Sequence, residues 1–166
     1  MIEPKEFLAF IKARRSIRSF ESKIIPDEEI TMILEAGQWA PSASNRQPWE
    51  FIVIKNQETI QKVAKVASYG RFIKQASTLI AIIGKTRISP KWYVIDTSLV
   101  SMNMMLMAWA LGIGTCWIGA IDREKAKEIL ELHKDDYVLT ILPFGYIKGP
   151  IPTRDRKPFK DIVKEK

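Results

Sequence analysis

Residues 91–119 read KWYVIDTSLVSMNMMLMAWALGIGTCWIG, and the structure of this stretch decides how the rest of the chain is arranged. Its most apolar part, Leu99–Leu111, is shorter than the roughly 20 residues that span a bilayer. It also contains Ser101 and Asn103. We therefore predict a long buried helix over Lys91–Leu111. Glycines follow this helix at once, and they are expected to end it.

The central helix is rich in methionine and other apolar residues, which raises the question of whether the protein core or a second subunit covers it. A helix that is apolar on nearly every side must be covered on every side. Methionine fills irregular gaps in cores and at adaptable interfaces alike. The pattern therefore agrees equally well with plain core packing and with burial between two subunits. The side chains concerned are Met102, Met104, Met105, Met107 and Trp109.

Outward from this helix, segments with helical and strand patterns alternate, and helices precede the first strand. Further helices are predicted over Glu3–Ala13, from Pro26 onward, after the cap residue Asn56, and from the cap residue Asp122 to Leu132. Strands are predicted over Trp49–Lys55, Thr78–Ile83, Thr115–Gly119 and Tyr137–Tyr146, with loops over Ser16–Ile25 and Pro41–Pro48. The unbroken apolar run Thr78–Ile83 is typical of a strand buried on both faces. This order favours an α+β or α/β sandwich around a central sheet.

Length and composition indicate one compact domain over residues 1–166. The chain is 46% apolar and 27% charged, as soluble globular proteins are. Its one cysteine, Cys116, cannot form an intrachain disulfide or supply a zinc or iron–sulfur site, which indicates a reducing compartment. The N-terminal sequence lacks the pattern of a signal peptide. We therefore expect a cytoplasmic protein with no membrane partner.

The net charge of +7 predicts an anionic partner. Two short basic clusters lie far apart in sequence and could meet at one phosphate group. A nucleic-acid surface more often shows a long basic face with interleaved aromatic residues. The clusters are Lys12, Arg14, Arg15 and Arg18 near the start, and Arg154, Arg156, Lys157 and Lys160 near the end.

Three segments have residue types that suit a bound ligand. Arg14–Arg18 offers planar guanidinium donors and a serine hydroxyl for phosphate oxygens, although its spacing alone favours a solvated basic turn. Pro41–Trp49 places serine, asparagine and glutamine side chains in a proline-restricted loop, which suits either a planar heterocycle or an ordinary turn. Gly112–Gly119 would let a ring approach the backbone closely, although a helix end followed by a buried strand explains this segment better.

Taken together, these segments resemble the nitroreductase family of FMN enzymes, in the expected order over nearly the whole chain. The resemblance is carried by Arg14–Arg18, Pro41–Trp49, Gly114–Gly119, Pro143–Tyr146 and Arg154–Phe159. It implies an α+β fold with a central, mostly antiparallel or mixed sheet flanked by helices. It also places the long central helix at the interface of an intertwined homodimer.

The resemblance implies roles for individual residues. The residues expected at the FMN phosphate, ribityl chain and pyrimidine edge are Arg14, Arg15, Ser16 and Arg18, with Arg154 and Arg156 closing on the phosphate from the tail. The residues expected to line the flavin from the partner subunit are Pro41, Ser42, Ala43, Ser44, Asn45 and Gln47. Ile118 and Gly119 are expected beside the isoalloxazine ring, with the Gly119 amide near N5.

The implied reaction passes hydride from NAD(P)H to flavin N5, and then reduces a small acceptor such as a nitroaromatic or a quinone. It requires no side chain as acid, base or nucleophile, and no metal-ligand spacing is present. Only Lys85–Lys91 occupies the place where larger members carry a helical excursion that helps to cover the substrate. The acceptor and the choice between NADH and NADPH therefore stay open. The alternatives are other flavin chemistry, such as dehalogenation or flavin reduction, and a non-catalytic basic module for flavin or nucleic acid.

Overall fold

The computed structural model describes residues 2–68 and 70–166. The α-helices of this part are α1 (Pro4–Ala13), α2 (Asp27–Gln38), α3 (Gln57–Val66), α4 (Tyr93–Ala110) and α5 (Arg123–Ile129). Its strands are β1 (Trp49–Ile54), β2 (Thr78–Lys85), β3 (Ile113–Thr115) and β4 (Asp136–Tyr146). Short 3-10 helices lie at Ala43–Asn45, Gly70–Gln75 and Phe159–Asp161.

The strands form one sheet in the order β1-β2-β4-β3, and each neighbouring pair is antiparallel. Helices cover both faces, so the predicted α+β sandwich with a mostly antiparallel sheet is confirmed. Along β2, Leu79, Ala81 and Ile83 pack on the face shared with α3, while Ile80 and Ile82 pack on the opposite face. The prediction of a strand buried on both sides is therefore confirmed as well.

Side-chain caps fix where several helices begin. The Asn56 side chain accepts a hydrogen bond from the Thr59 amide at 2.9 Å, and Asp122 accepts one from the Lys125 amide at 3.2 Å. Each cap satisfies an amide that has no partner within the first helical turn. The predicted caps of α3 and α5 are both confirmed.

Removing the α3 cap gives the first testable prediction. We expect Asn56→Ala to lower the free energy of unfolding by about 1 kcal/mol, because the Thr59 amide loses its acceptor. Asn56→Asp keeps a capping oxygen and serves as the control, with stability close to that of the wild type. Urea denaturation measures both; equal losses for the two variants would contradict the capping role.

Most predicted boundaries lie within two residues of those observed, but two elements end three residues or more from the predicted end. Strand β3 is Ile113–Thr115 and not Thr115–Gly119, because the chain leaves the sheet after pairing with β4 as far as Thr115. Beyond that point the Thr140 side chain replaces the backbone ladder: its hydroxyl donates to the Ile118 carbonyl at 2.9 Å and accepts from the Ile118 amide at 3.2 Å. Helix α5 ends at Ile129 instead of Leu132.

The early end of α5 has a backbone cause. Glu131 has a φ of 53°, which lies in the left-handed region and cannot continue an α-helix. The chain reverses there and leads into β4. Sequence patterning gave no sign of this reversal, because apolar residues continue at helical spacing through the turn.

The central helix is buried on one side and open on the other. Met104 and Met105 are buried against the sheet and α2, as core packing requires. We call the opposite side the α4 outer face; it presents the exposed side chains Val94, Ile95, Leu99 and Met102. Among the described residues, no helix combines the length and the apolar character needed to cross a membrane.

Candidate functional site

The segment after α1 is held against the edge of the sheet. The Ile17 amide donates to the Thr115 carbonyl at 2.9 Å, which fixes the segment alongside β3. Gly114 makes this approach possible, because a Cβ atom there would lie 2.7 Å from Ile17 Cβ. Opposite Gly114 in the β3–β4 register stands Gly145, where a Cβ atom would lie 2.8 Å from Phe20 Cβ. A pair of facing glycines thus places the arginine-bearing segment.

This placement brings the two basic clusters together. Five arginines of these clusters, but not Lys12, Lys157 or Lys160, line a single cavity of about 140 Å³, which we call the arginine cleft. The chain contributes one wall from the end of α1 and the other from the tail, more than a hundred residues apart in sequence. The lining residues are Arg14, Arg15, Ser16, Arg18, Pro152, Arg154 and Arg156.

The described residues leave the charge in the arginine cleft without a compensating carboxylate. Among the described residues, none of the cleft arginines forms an ion pair with a carboxylate. Arg14 Nη1 is buried there without a hydrogen-bond partner. Burial lowers the pKa of the Arg14 guanidinium, and the neighbouring Arg156 and Arg15 lower it further. A buried donor amid like charges fits an oxyanion such as a phosphate.

A second cavity of about 300 Å³, which we call the slot, adjoins the arginine cleft. Arg18 lines both cavities, so the slot opens beside the cleft. Its walls combine backbone with aromatic and apolar side chains, which is typical of a site for a planar ring. The remaining lining residues are Phe72, Cys116, Trp117, Ile118, Gly119 and Ala120.

Two neighbouring backbone amides in the slot wall differ in whether they have a hydrogen-bond partner. The Ile118 amide is occupied by Thr140 Oγ1, as described above. The Gly119 amide has no hydrogen-bond partner among the described residues. Among the described residues, a Cβ atom at Gly119 would meet only the Trp117 ring, at an ordinary distance of 3.6 Å. The described residues therefore leave the Gly119 amide open to a ligand.

Cys116 is a buried free thiol in this wall. Burial raises the pKa of the thiol, against smaller opposing effects from Arg18, Ser16 and Arg14. Burial therefore disfavours the thiolate, which is the reactive form of cysteine. The described residues contain no group of histidine, cysteine and carboxylate side chains able to hold a metal ion.

The Pro41–Gln47 loop lies apart from the arginine cleft and the slot in the folded chain. It lines a separate cavity of about 400 Å³ beside Gln38, Trp39 and Ala40, and none of its residues lines the arginine cleft or the slot. The loop is largely exposed. Within one chain the structure thus brings together the expected arginine, serine, isoleucine and glycine residues, but not the loop.

Phe72 is a slot residue that sequence reasoning missed. It lies in the 3-10 helix Gly70–Gln75 between α3 and β2, and its ring stands 6.3 Å from the ring of Phe20. A glycine followed by a cation and an aromatic residue was the available signal in this linker. Pro152, which lines the arginine cleft, was missed too.

Comparison with known proteins defines the class. The model of the nitroreductase family matches residues 11–70 and 64–146, and the chain belongs to this family. A candidate NADH dehydrogenase/NAD(P)H nitroreductase from Archaeoglobus fulgidus is 36% identical over 151 residues, covering 87% of each chain.

Solved structures of nitroreductases have the same fold as this chain. The chain superposes on a candidate NADH dehydrogenase/NAD(P)H nitroreductase from Parabacteroides distasonis with a TM-score of 0.90 at 26% identity, covering 96% of this chain and 97% of that one. It superposes on an FMN-dependent nitroreductase from Clostridium difficile with a TM-score of 0.87 at 26% identity, covering 95% and 98%. Each superposition extends over nearly the whole length of this chain and of the solved structure.

Proposed function

We propose that the protein is an FMN-dependent oxidoreductase that uses NAD(P)H to reduce a small acceptor such as a nitroaromatic or a quinone. The observation that carries this proposal is the arginine cleft. Guanidinium groups that form no ion pair with any described residue converge there from both ends of the chain, beside a slot of a size and chemistry suited to a ring. Family membership and the FMN-dependent nitroreductase of similar structure support the choice of ligand.

The residues of the cleft fit an FMN phosphate. A phosphomonoester carries a charge of about −1.5 to −2 and three strong acceptor oxygens, as known for phosphorylated side chains. Arg14 Nη1 is a buried donor that lacks a partner among the described residues. Arg15, Ser16, Arg18, Arg154 and Arg156 supply the further donors. Burial and then repulsion from Arg156 and Arg15 lower the pKa of Arg14, and the phosphate would offset that repulsion.

The slot would receive the isoalloxazine ring. When bound, FMN supplies hydride transfer at its N5 atom. Ile118 is fixed through both its backbone groups by Thr140, which holds the slot wall in position. The next amide, that of Gly119, is available as a hydrogen-bond donor toward the ring. Arg18, at the junction of the two cavities, adds positive charge that favours an anionic ring.

We further propose a homodimer in which the Pro41–Gln47 loop of each subunit completes the slot of the other. The α4 outer face supports this proposal, because exposed apolar side chains at helical spacing are typical of interaction surfaces. The tail supports it too, since Ile151, Phe159 and Ile162 are all exposed. A cytoplasmic location stays a prediction.

The dimer gives a direct prediction. Light scattering should return twice the 19.1 kDa mass of the chain. Ile95 is 52% exposed on the α4 outer face, and we expect Ile95→Asp to yield monomers, since the dimer would bury the carboxylate in an apolar interface. Ile24→Asp is the matched control, because Ile24 is 84% exposed and lies off that face. A monomeric wild type would overturn the dimer.

A visible absorption spectrum of the purified protein tests the proposed function. We expect the bands of oxidised flavin, and release of FMN on denaturation. Anaerobic mixing with NADH and with NADPH should bleach those bands. Bands that neither nucleotide bleaches would indicate other flavin chemistry, such as dehalogenation. A protein that takes up no flavin and binds nucleic acid with steep salt dependence would be the non-catalytic basic module.

A further inference from the structure

Asp96 is a buried carboxylate that the chemistry of the slot does not use. It lies in the first turn of α4 and is only 3% exposed. Its Oδ1 atom accepts a hydrogen bond from the Ala43 amide at 3.1 Å. Its Oδ2 atom is buried without a partner among the described residues. The start of a helix favours negative charge, but burying an apolar side chain at this position would require less free energy than burying a carboxylate.

The partner of Asp96 lies in a loop with unusual backbone geometry. Ser44, Asn45 and Gln47 all have positive φ values, of 53°, 51° and 49°. Residues other than glycine adopt this region at a cost, and they stay there only where their surroundings hold them. The conformation therefore needs contacts that enforce it.

Contacts within the loop hold its shape. The Gln47 amide donates to Ser42 Oγ at 3.0 Å, and the Asn45 amide donates to the Ser42 carbonyl at 3.0 Å. The Gln47 side-chain amide donates to Asn45 at 3.3 Å. All of these bonds are local, so they do not link residues 41–47 to a distant element. The end of the loop is anchored separately, because the Lys85 amide of β2 donates to the Pro48 carbonyl at 2.9 Å.

The bond to Asp96 supplies that link. Among the described residues, it is the one hydrogen bond that joins residues 41–47 to a helix or strand distant in sequence. A carboxylate acceptor makes it stronger than a neutral bond would be. Helix α4 also carries the α4 outer face, so the bond ties the loop to the proposed dimer interface.

We propose that Asp96 is a positioning residue that sets the Pro41–Gln47 loop of one subunit for its contact with the flavin of the other. This inference rests on the proposed function. Asp96 acts through the Ala43 amide and touches neither flavin nor substrate. The buried carboxylate thus serves to place the loop.

Hydrogen–deuterium exchange of the full chain, prepared without flavin, tests the link. We expect faster exchange over residues 41–47 in Asp96→Ala, because the Ala43 amide loses its acceptor. Asp96→Asn keeps an oxygen in place and should restore slow exchange. Ser101→Ala is the control on the same helix, since the buried Ser101 hydroxyl donates only within the helix, to the Thr97 carbonyl at 2.8 Å. Unchanged exchange in Asp96→Ala would overturn the inference.

FMN titration supplies the second readout. We expect the Kd of Asp96→Ala to rise about tenfold to a hundredfold, the range that one hydrogen bond to a charged group represents. Asp96→Asn should stay closer to the wild type, and Ser101→Ala should match it. A wild type that does not bind FMN refutes the proposed function. A wild type that binds FMN while Asp96→Ala binds it equally well refutes the role of Asp96 alone.

Ala43→Pro probes the same bond from the donor side without changing the buried core. Ser42, which precedes it, has φ −143° and ψ 157°, an extended conformation that a following proline accepts. This variant keeps the test decisive if Asp96→Ala does not fold. We expect it to speed exchange over residues 44–47 and to weaken FMN binding; wild-type values for both would contradict the proposal.

Discussion

Replacing Arg14 and Arg156 together by alanine is expected to raise the Kd for FMN by about two to four powers of ten. Each guanidinium would form hydrogen bonds to a charged phosphate, and one such bond contributes about 1.5–3 kcal/mol. The two losses amount to about 3–6 kcal/mol if they add. The two side chains come from opposite ends of the chain and line one cavity. Fluorescence titration with FMN measures the change.

The control must remove the same charge elsewhere. Arg87→Ala with Lys62→Ala does so, because both side chains are exposed and paired with carboxylates away from the cleft. We expect this double variant to bind FMN nearly as the wild type does. If both double variants lost affinity equally, overall charge and not the cleft would explain the binding. If neither lost affinity, the arginine cleft would not be the phosphate site.

Gly114→Ala is expected to lower the free energy of unfolding by about 1–3 kcal/mol, as overpacking in a closely packed site does. The new Cβ atom would lie 2.7 Å from both Ile17 Cβ and Ile17 Cγ2, neither of which is the far end of a flexible chain. Relief requires the segment that carries Arg14 and Arg18 to move away from β3. FMN affinity should therefore fall together with stability.

Gly119→Ala is the control for Gly114→Ala. It shows whether the loss of stability comes from the close contact with Ile17 or from replacing any glycine in this region. Among the described residues its Cβ atom would meet only Trp117, at 3.6 Å or more, so stability should stay within about 0.5 kcal/mol of the wild type. Urea denaturation compares the two variants. Equal stability losses, or a Gly114→Ala variant as stable as the wild type, would show that close approach to Ile17 does not position the segment.

Much of the fold could be predicted because local chemistry and tertiary packing agree. The apolar run of β2 and the cap at Asn56 each specify one structure, and the structure has both. The prediction failed where a distant side chain decides. The end of β3 depends on Thr140 taking over the hydrogen bonds of Ile118, and no pattern near residue 118 indicates that contact.

The candidate site, too, could be predicted only where local sequence determines the structure. Arginine clusters are visible in any sequence, but their convergence depends on Gly114 and Gly145 facing each other across β3 and β4. Phe72 reaches the slot from the linker between α3 and β2, where the only signal is a glycine followed by a cation and an aromatic residue. The role of Asp96 depends on a single contact between residues 53 positions apart.

Parallel titration with FMN and with riboflavin tests the central claim most directly, because the two ligands share the ring and differ in the phosphate. We expect the wild type to bind FMN at least about a hundredfold more tightly than riboflavin, since several charged hydrogen bonds depend on the phosphate. The variant lacking Arg14 and Arg156 should lose most of that preference. Equal affinity of the wild type for both ligands would contradict the assignment of the arginine cleft as a phosphate site.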